Sequence, residues 1–245
     1  MNTLLLRLAG PLQAWGSTGK FNTRYTDREP TKSGVIGMIA SSMGRSRDES
    51  IEDLNSLRFG VRVDQEGEFL KDLQTVHRIE EKPSGKDEES VYKTDRHYLC
   101  DAIFIVGLEG RDELLRNIES SLKDPVYPLF LGRRACPPTM PITLGIRNAS
   151  LCDALRNEPW MSTERYQKRV SRVRVIYDAT KTDIADATTR DRPISYSQSH
   201  RKHGLRSVTF DTIRFAGNHS HEEMVEENST DHDVFSEIEK FNEEG

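Results

Sequence analysis

The sequence predicts an α+β fold: a ferredoxin-like, RRM-related body carrying a projecting β-hairpin and a small, basic, β-rich C-terminal appendage. Three observations carry that expectation. Through residues 1–150 the signals run strand, helix, strand, hairpin, strand, helix, strand, which is the βαββαβ order of ferredoxin-like and RRM folds. Residues 79–95 interrupt that order with a highly charged stretch that has almost no apolar periodicity. After Pro159-Trp160 the composition shifts to Arg, Ser and Thr with short β-branched runs.

Residues 3–9, rich in leucine, read as a mostly buried strand ended by Gly10-Pro11. A polar loop follows over residues 13–32. Val35, Ile36, Ile39, Ala40 and Met43 then form one helical stripe, with Ser33 placed to cap it and Gly44 to end it. Residues 59–63 form a short alternating strand, and residues 69–77 are expected to return beside it across the turn at Gly67. Residues 98–108 are the strongest strand signal. Leu114, Leu115, Ile118 and Leu122 follow at helical spacing with Asp112 near the start, and a further strand is expected near residues 142–146.

The chain has 245 residues, 35% of them hydrophobic, with a mean hydropathy of −0.68. That length buries a core without a disulfide or metal staple. Cys100, Cys136 and Cys152 are odd in number and outside any CxxC spacing, so neither a disulfide framework nor a zinc ribbon fits, and a reducing cytoplasm is the expected compartment. The apolar run at residues 4–6 is broken by Arg7, too short for a signal segment or a membrane span, and no membrane association is expected. The net charge of −5 is unevenly spread. Residues 217–245 hold ten acidic residues and one Lys, an acidic tail expected to be mobile; residues 165–214 hold twelve Lys/Arg against five Asp. Clustered positive charge is the footprint of a polyanion binder, and equally that of a solvated face.

Several constellations bear chemistry, each with an ordinary alternative. At residues 31–37, a helix start with Lys32, Ser33 and Gly34 suits a phosphate; simple helix–sheet packing suits it as well. Gly132-Arg133-Arg134, on a loop closed by two prolines, presents two guanidinium forks for bidentate phosphate contacts, or a surface loop paired to nearby acids. Trp15, in a loop bounded by Gly10 and Gly16, either stacks on an unpaired base or seals the core. Lys93, His97 and Tyr98 include the residue types of metal-independent ribonucleases, at a spacing that is not diagnostic. His219, His221, Glu222, Glu223, His232 and Asp233 lack ligand spacing, so no metal or cofactor is expected.

Three segments together resemble one family: LRLAGPLQAWG at residues 6–16, RHYLCDA at 96–102 and LGRRACP at 131–137, with the glycine-rich stretch 31–44 in agreement. They are similar to the CasD subunits of type I-E CRISPR Cascade, within the RAMP superfamily. The resemblance covers residues 1–150, weakens across 160–210 and is lost in the tail. It implies a ferredoxin-like RAMP domain at 1–150, a thumb at about residues 72–97, a small basic β-rich region at 151–216 and an acidic tail at 217–245. It further implies a non-catalytic subunit for antiviral defence that binds and caps the 5′ handle of the CRISPR RNA. The expected partners are the backbone subunit CasC, the large subunit CasA and, indirectly, target DNA. Carried onto this chain, the RNA surface comprises Trp15, Arg24, Lys32, Ser33, Gly34, Arg96, Gly132, Arg133, Arg134, Arg201 and Lys202, with no catalytic residue. The alternatives are a metal-independent endoribonuclease that processes precursor CRISPR RNA, and a stand-alone RRM-like RNA binder.

Overall fold

Burial on both faces sets the first strand. In a computed structural model of the chain, describing residues 1–16, 19–20, 22–81, 87–180 and 183–215, Asn2–Ala9 forms β1. Leu4, Leu6 and Leu8 enter one apolar cluster and Leu5 another on the opposite face, which is why the run reads as continuously apolar. Three short strands follow, β2 (Leu12–Gln13), β3 (Gly19–Lys20) and β4 (Thr23–Arg24), then helices α1 (Lys32–Ser42) and α2 (Glu52–Asn55). Four strands come next: β5 (Arg58–Gln65), β6 (Glu68–Glu81), β7 (Asp87–Cys100) and β8 (Ile103–Gly110). After α3 (Asp112–Lys123) come β9 (Thr143–Arg147), α4 (Leu151–Asn157), α5 (Glu164–Gln167), β10 (Arg172–Asp178), β11 (Ala187–Ser195) and β12 (Lys202–Arg214).

The fold is α+β, with two sheets. The larger has seven antiparallel strands in the order β11-β12-β10-β5-β8-β1-β9. Helices α1 and α3 cover one face, where Val35, Ile36, Ile39, Leu115, Ile118 and Leu122 meet Leu4, Leu6, Phe59 and Phe104. Helix α4 covers the other, placing Leu151 and Leu155 on Leu5, Ile105 and Val175. The smaller sheet is built on the β6–β7 hairpin, whose strands pair over their whole length; β2 and β4 line the other edge of β7 near its root.

Four local expectations change. Residues 69–77 pair with β7 and not with β5. The apolar run 98–108 is two strands, because Asp101 takes a left-handed conformation (φ 55°) and hands the chain from the hairpin to the main sheet. Gly67 (φ 73°) makes the matching crossing on the other side, where a Cβ would overlap the Cys100 carbonyl oxygen. Helix α1 is capped by Thr31, whose Oγ1 accepts from the Gly34 N–H at 3.2 Å, rather than by Ser33. The C-terminal region is β-rich but not a separate appendage, since β10 pairs with β5 and continues the main sheet. The acidic tail lies outside the described residues.

A buried ion network fixes that continuation. Lys32, 4% exposed, donates from Nζ to Asp178 Oδ2 at 2.8 Å and to the Leu57 carbonyl at 2.7 Å. Arg206 grips Asp191 through two bonds of 2.7 Å and Asp178 through one of 2.8 Å, over the face of Phe59. Asp191, 2% exposed, also accepts the backbone N–H of Lys32, and Asp178 that of Phe59. Two cations and two carboxylates thus satisfy one another while tying α1, β5, β10, β11 and β12 together. Removing one partner from such a set strands a buried charge, which costs about 3–5 kcal/mol. Asp191→Ala is therefore expected to lower stability by about that amount in urea unfolding; a change below about 1 kcal/mol would mean that the network contributes no more than surface pairs do.

Candidate nucleic-acid interface

The site begins with a turn that only glycine can make. Gly132 has φ 83°, and a Cβ on it would fall inside the Ala14 carbonyl oxygen. The turn closes through Leu131 N–H to Cys136 O (2.7 Å) and Cys136 N–H to Arg133 O (2.9 Å), and docks through Ala14 N–H to Leu131 O (3.1 Å). This close approach presses the turn against the segment that follows β2.

Arg133 then points to the hairpin root. Its Nη1 donates to the His97 carbonyl at 3.0 Å, its Nη2 to those of Arg24 at 2.8 Å and Tyr25 at 3.2 Å, and its guanidinium lies 4.8 Å over the Tyr98 ring. The fork expected to grip phosphate is instead a clamp holding the turn, the β4 segment and β7 together, a correction that follows from its occupied donors. Arg134, next along, is exposed and has no hydrogen-bond or ion-pair partner among the described residues.

Two further arginines stand beside the clamp. The parallel register of β4 and β7 sets Arg24 level with Arg96. Arg24 is exposed, and Arg96 is half-buried with its Nε lacking a hydrogen-bond acceptor among the described residues. Asp72 lies across from Arg96 on β6 but accepts from Gln74 at 2.7 Å. Like charges side by side repel, so the pair favours an anion between or above them. Sequence reasoning missed Tyr25, which is 53% exposed, with its ring 5.0 Å from that of His97 at a 31° tilt. Its signal was an aromatic set directly between Arg24 and Thr26 in a mostly polar loop.

The other expected residues lie elsewhere in role or place. Trp15 is 1% exposed, donates from Nε1 to Gln13 at 3.0 Å and packs against Gly34, where a Cβ would sit 2.9 Å from the indole. It seals the core and offers no face to a base. Lys32 is committed to Asp178, and the helix-start N–H groups of Lys32, Gly34 and Val35 already donate to Asp191 and Thr31, so three of the four amides at that end of α1 are taken. The Ser33 carbonyl accepts from the Tyr196 hydroxyl, which ties the loop before β12 to α1. Arg201 and Lys202 are exposed at the start of β12, and no described contact joins them to the Arg24–Arg134 group.

The ribonuclease-like trio does not converge. Strand pleating turns Lys93 and His97 to one face of β7 and Tyr98 to the other, where it is 4% exposed beneath Arg133. Burial pushes the Cys100, Cys136 and Cys152 thiols up, away from a reactive thiolate.

Arg133→Ala would leave three carbonyls without their charged donor, at about 1.5–3 kcal/mol. Denaturant unfolding should show that loss together with faster amide exchange over residues 22–27, whereas Arg134→Ala should stay within about 0.5 kcal/mol. Equal, small effects of the two substitutions would refute the clamp.

Comparison with known proteins agrees on one family. The family described as CRISPR-associated protein (Cas_Cas5) matches residues 3–209. The CRISPR system Cascade subunit CasD of Escherichia coli (strain K12) is 38% identical over 161 residues, which cover 60% of this chain and 72% of that protein. A solved chain described as belonging to a CRISPR RNA-guided surveillance complex superposes with a TM-score of 0.74 at 29% identity, covering 89% of this chain and 95% of the other. A second, described as a Cas protein, gives 0.67 at 35% identity, covering 86% and 95%. With the match running through the main sheet, the hairpin and the Gly132 turn alike, the chain belongs to the CRISPR-associated Cas5 family.

Proposed function

We propose that this chain is a non-catalytic, RNA-binding subunit of a type I-E Cascade surveillance complex, holding and capping the 5′ handle of the CRISPR RNA. The observation that carries the reading is the hairpin root itself: Arg24 and Arg96 level with each other and Arg134 exposed on the adjoining turn, none with an ion-pair partner among the described residues, and Tyr25 exposed against His97 on the other face of the same strand pair, on a frame fixed by Arg133. Phosphates of a single strand are met by such cations, while an exposed aromatic stacks on a splayed base. Tyr25 takes the stacking role first given to Trp15, and Arg134 with Arg96 the phosphate role first given to the arginine pair.

The fold supports the same reading. Strands β9-β1-β8-β5 lie side by side in that order with α1 and α3 crossing one face, the arrangement of a ferredoxin-like sheet, and the β6–β7 hairpin, inserted between β5 and β8, is the element we assign as the thumb. In the assembly the chain would meet the backbone subunit CasC and the large subunit CasA, and target DNA only through the guide. The non-catalytic reading is supported by Tyr98 lying buried on the opposite face of β7 from Lys93 and His97.

Two measurements test it. A handle-containing RNA should bind the Arg24→Ala, Arg96→Ala, Arg134→Ala triple variant at least about tenfold more weakly than the parent. With three phosphate contacts gone, the slope of log affinity against log salt should fall by about two. Unchanged affinity and normal complex assembly would remove this surface from the site. Repeat RNA incubated with the protein in EDTA should remain whole, and cleavage abolished by His97→Ala would overturn the non-catalytic reading.

A further inference from the structure

We propose that a basic groove between β1, the hairpin base and α5 holds a single nucleic-acid strand by its phosphate backbone, as a site separate from the hairpin root. The inference does not rest on the handle-binding reading, because it uses none of the cations of that surface.

Arginines near the groove are paired, and those that line it are not. Arg62 is committed to Asp64, and Arg174 to Glu66 and Glu29. The groove itself, about 630 Å³, is lined by Arg7, Arg165 and Arg169, none of which has an ion-pair or side-chain hydrogen-bond partner among the described residues. Arg7 is half-buried, so part of its side chain leaves water with no counter-charge beside it. The exposed cations Lys168, Arg172 and Arg214 extend the run, and the β10–β12 register sets Arg172 opposite Arg214, a like-charge pair that an anion would relieve.

The spacing suits a chain of phosphates. Lys168 N–H to Glu164 O and Val170 N–H to Tyr166 O, both 3.1 Å, carry the turn of α5 onward, so Arg165 and Arg169 stand one turn apart and both line the groove. That places their Cβ atoms about 5–6 Å from each other. Tyr166 also lines the groove, edge-on to Trp160, which stacks on Phe215 at 5.0 Å, so three rings back this wall. Guanidinium forks match phosphate oxygens, and cations repeated along a groove follow a strand where a single ion would meet only one of them. Glu68 and Asp101, exposed on the hairpin side, push a polyanion toward Arg7 and α5. Gln65, the amide side chain that lines the groove, is committed to the Asp101 carbonyl and to Thr163, so backbone rather than base edges would be recognised. Arg7 shares the pleat of Leu5, which faces α4, whereas Tyr98 and Leu131 beneath the Arg133 clamp belong to the cluster on the other face of the main sheet. Groove and hairpin root are therefore separate surfaces.

Fluorescence anisotropy with labelled oligothymidylate and oligouridylate reads the groove in the full chain carrying Arg24→Ala, Arg96→Ala and Arg134→Ala, where the hairpin root no longer contributes. Both oligonucleotides should still bind at low salt. Adding R165Q/R169Q should weaken them about tenfold and lower the slope of log affinity against log salt by about 1.4. In the otherwise unchanged chain R165Q/R169Q should leave handle-RNA affinity within about twofold, which keeps this test apart from that of the handle-binding reading. Affinities for the two oligonucleotides within about threefold are expected of backbone contact, and a preference of about tenfold would name the source, DNA or RNA, by the better-bound strand. Absence of binding in the first background, or binding indifferent to R165Q/R169Q, overturns the proposal. So does a parallel loss of handle affinity, which would make the groove part of the handle's own path. An oligoglutamate of equal length that binds more tightly than either oligonucleotide, and is lost in R165Q/R169Q, would make the groove a protein-docking site and overturn it as well.

Discussion

One guanidinium, that of Arg133, holds three separated stretches of chain in register, and the geometry of the candidate surface depends on it. Its donors go to carbonyls of β7 and of the β4 segment while its own backbone belongs to the Gly132 turn. The β4 segment makes two register pairs with β7 and is tied further by Asp95 N–H to the Asn22 carbonyl and by Trp15 to Thr26 and Asp27; the clamp adds the bonds that hold the Arg24 and Tyr25 carbonyls themselves. A like-charge pair has a standing tendency to separate. On the proposed reading, fixing it in place would preorganise an anion site and avoid a reorganisation cost when the RNA arrives.

The frame beneath the clamp is made rigid by charge as well as by leucine. The Lys32–Asp178–Arg206–Asp191 network reaches from the start of α1 to the far strands of the main sheet. On the opposite face Arg62, fully buried, gives its donors to Asp64 and to the carbonyls of Leu155, Glu158 and Pro159. Burial raises the pKa of Asp64 in spite of that arginine, the mark of a carboxylate kept from water by close packing. Both sets join elements far apart in sequence, which is how a region predicted as an appendage becomes part of one seven-stranded sheet.

What the sequence made legible follows from what is local. Leucine runs, the stripe of α3 and the charged stretch 79–95, which falls on the end of β6 and on β7, each report a nearest-neighbour pattern, and β1 and α3 stand where expected to within a few residues. The break at Asp101 was hidden because both strands it separates are apolar, and a single left-handed residue leaves no periodic trace. The roles of Lys32, Trp15 and Arg133 differ from expectation for a common reason: residue type announces a chemical capacity, while its use is decided by tertiary neighbours such as Asp178 for Lys32, Gly34 against the Trp15 indole and the His97 carbonyl for Arg133. Tyr25 became visible only when its exposure and its place beside Arg24 and His97 were seen together.

The most direct test of where the guide lies is photo-cross-linking of 4-thiouridine-substituted CRISPR RNA in the assembled complex, read by mass spectrometry. Adducts between handle nucleotides and the segments around Tyr25, Arg96 and Arg134 are the predicted result. Handle adducts confined to other surfaces of this subunit, or to other subunits altogether, would contradict the placement of the RNA at the hairpin root.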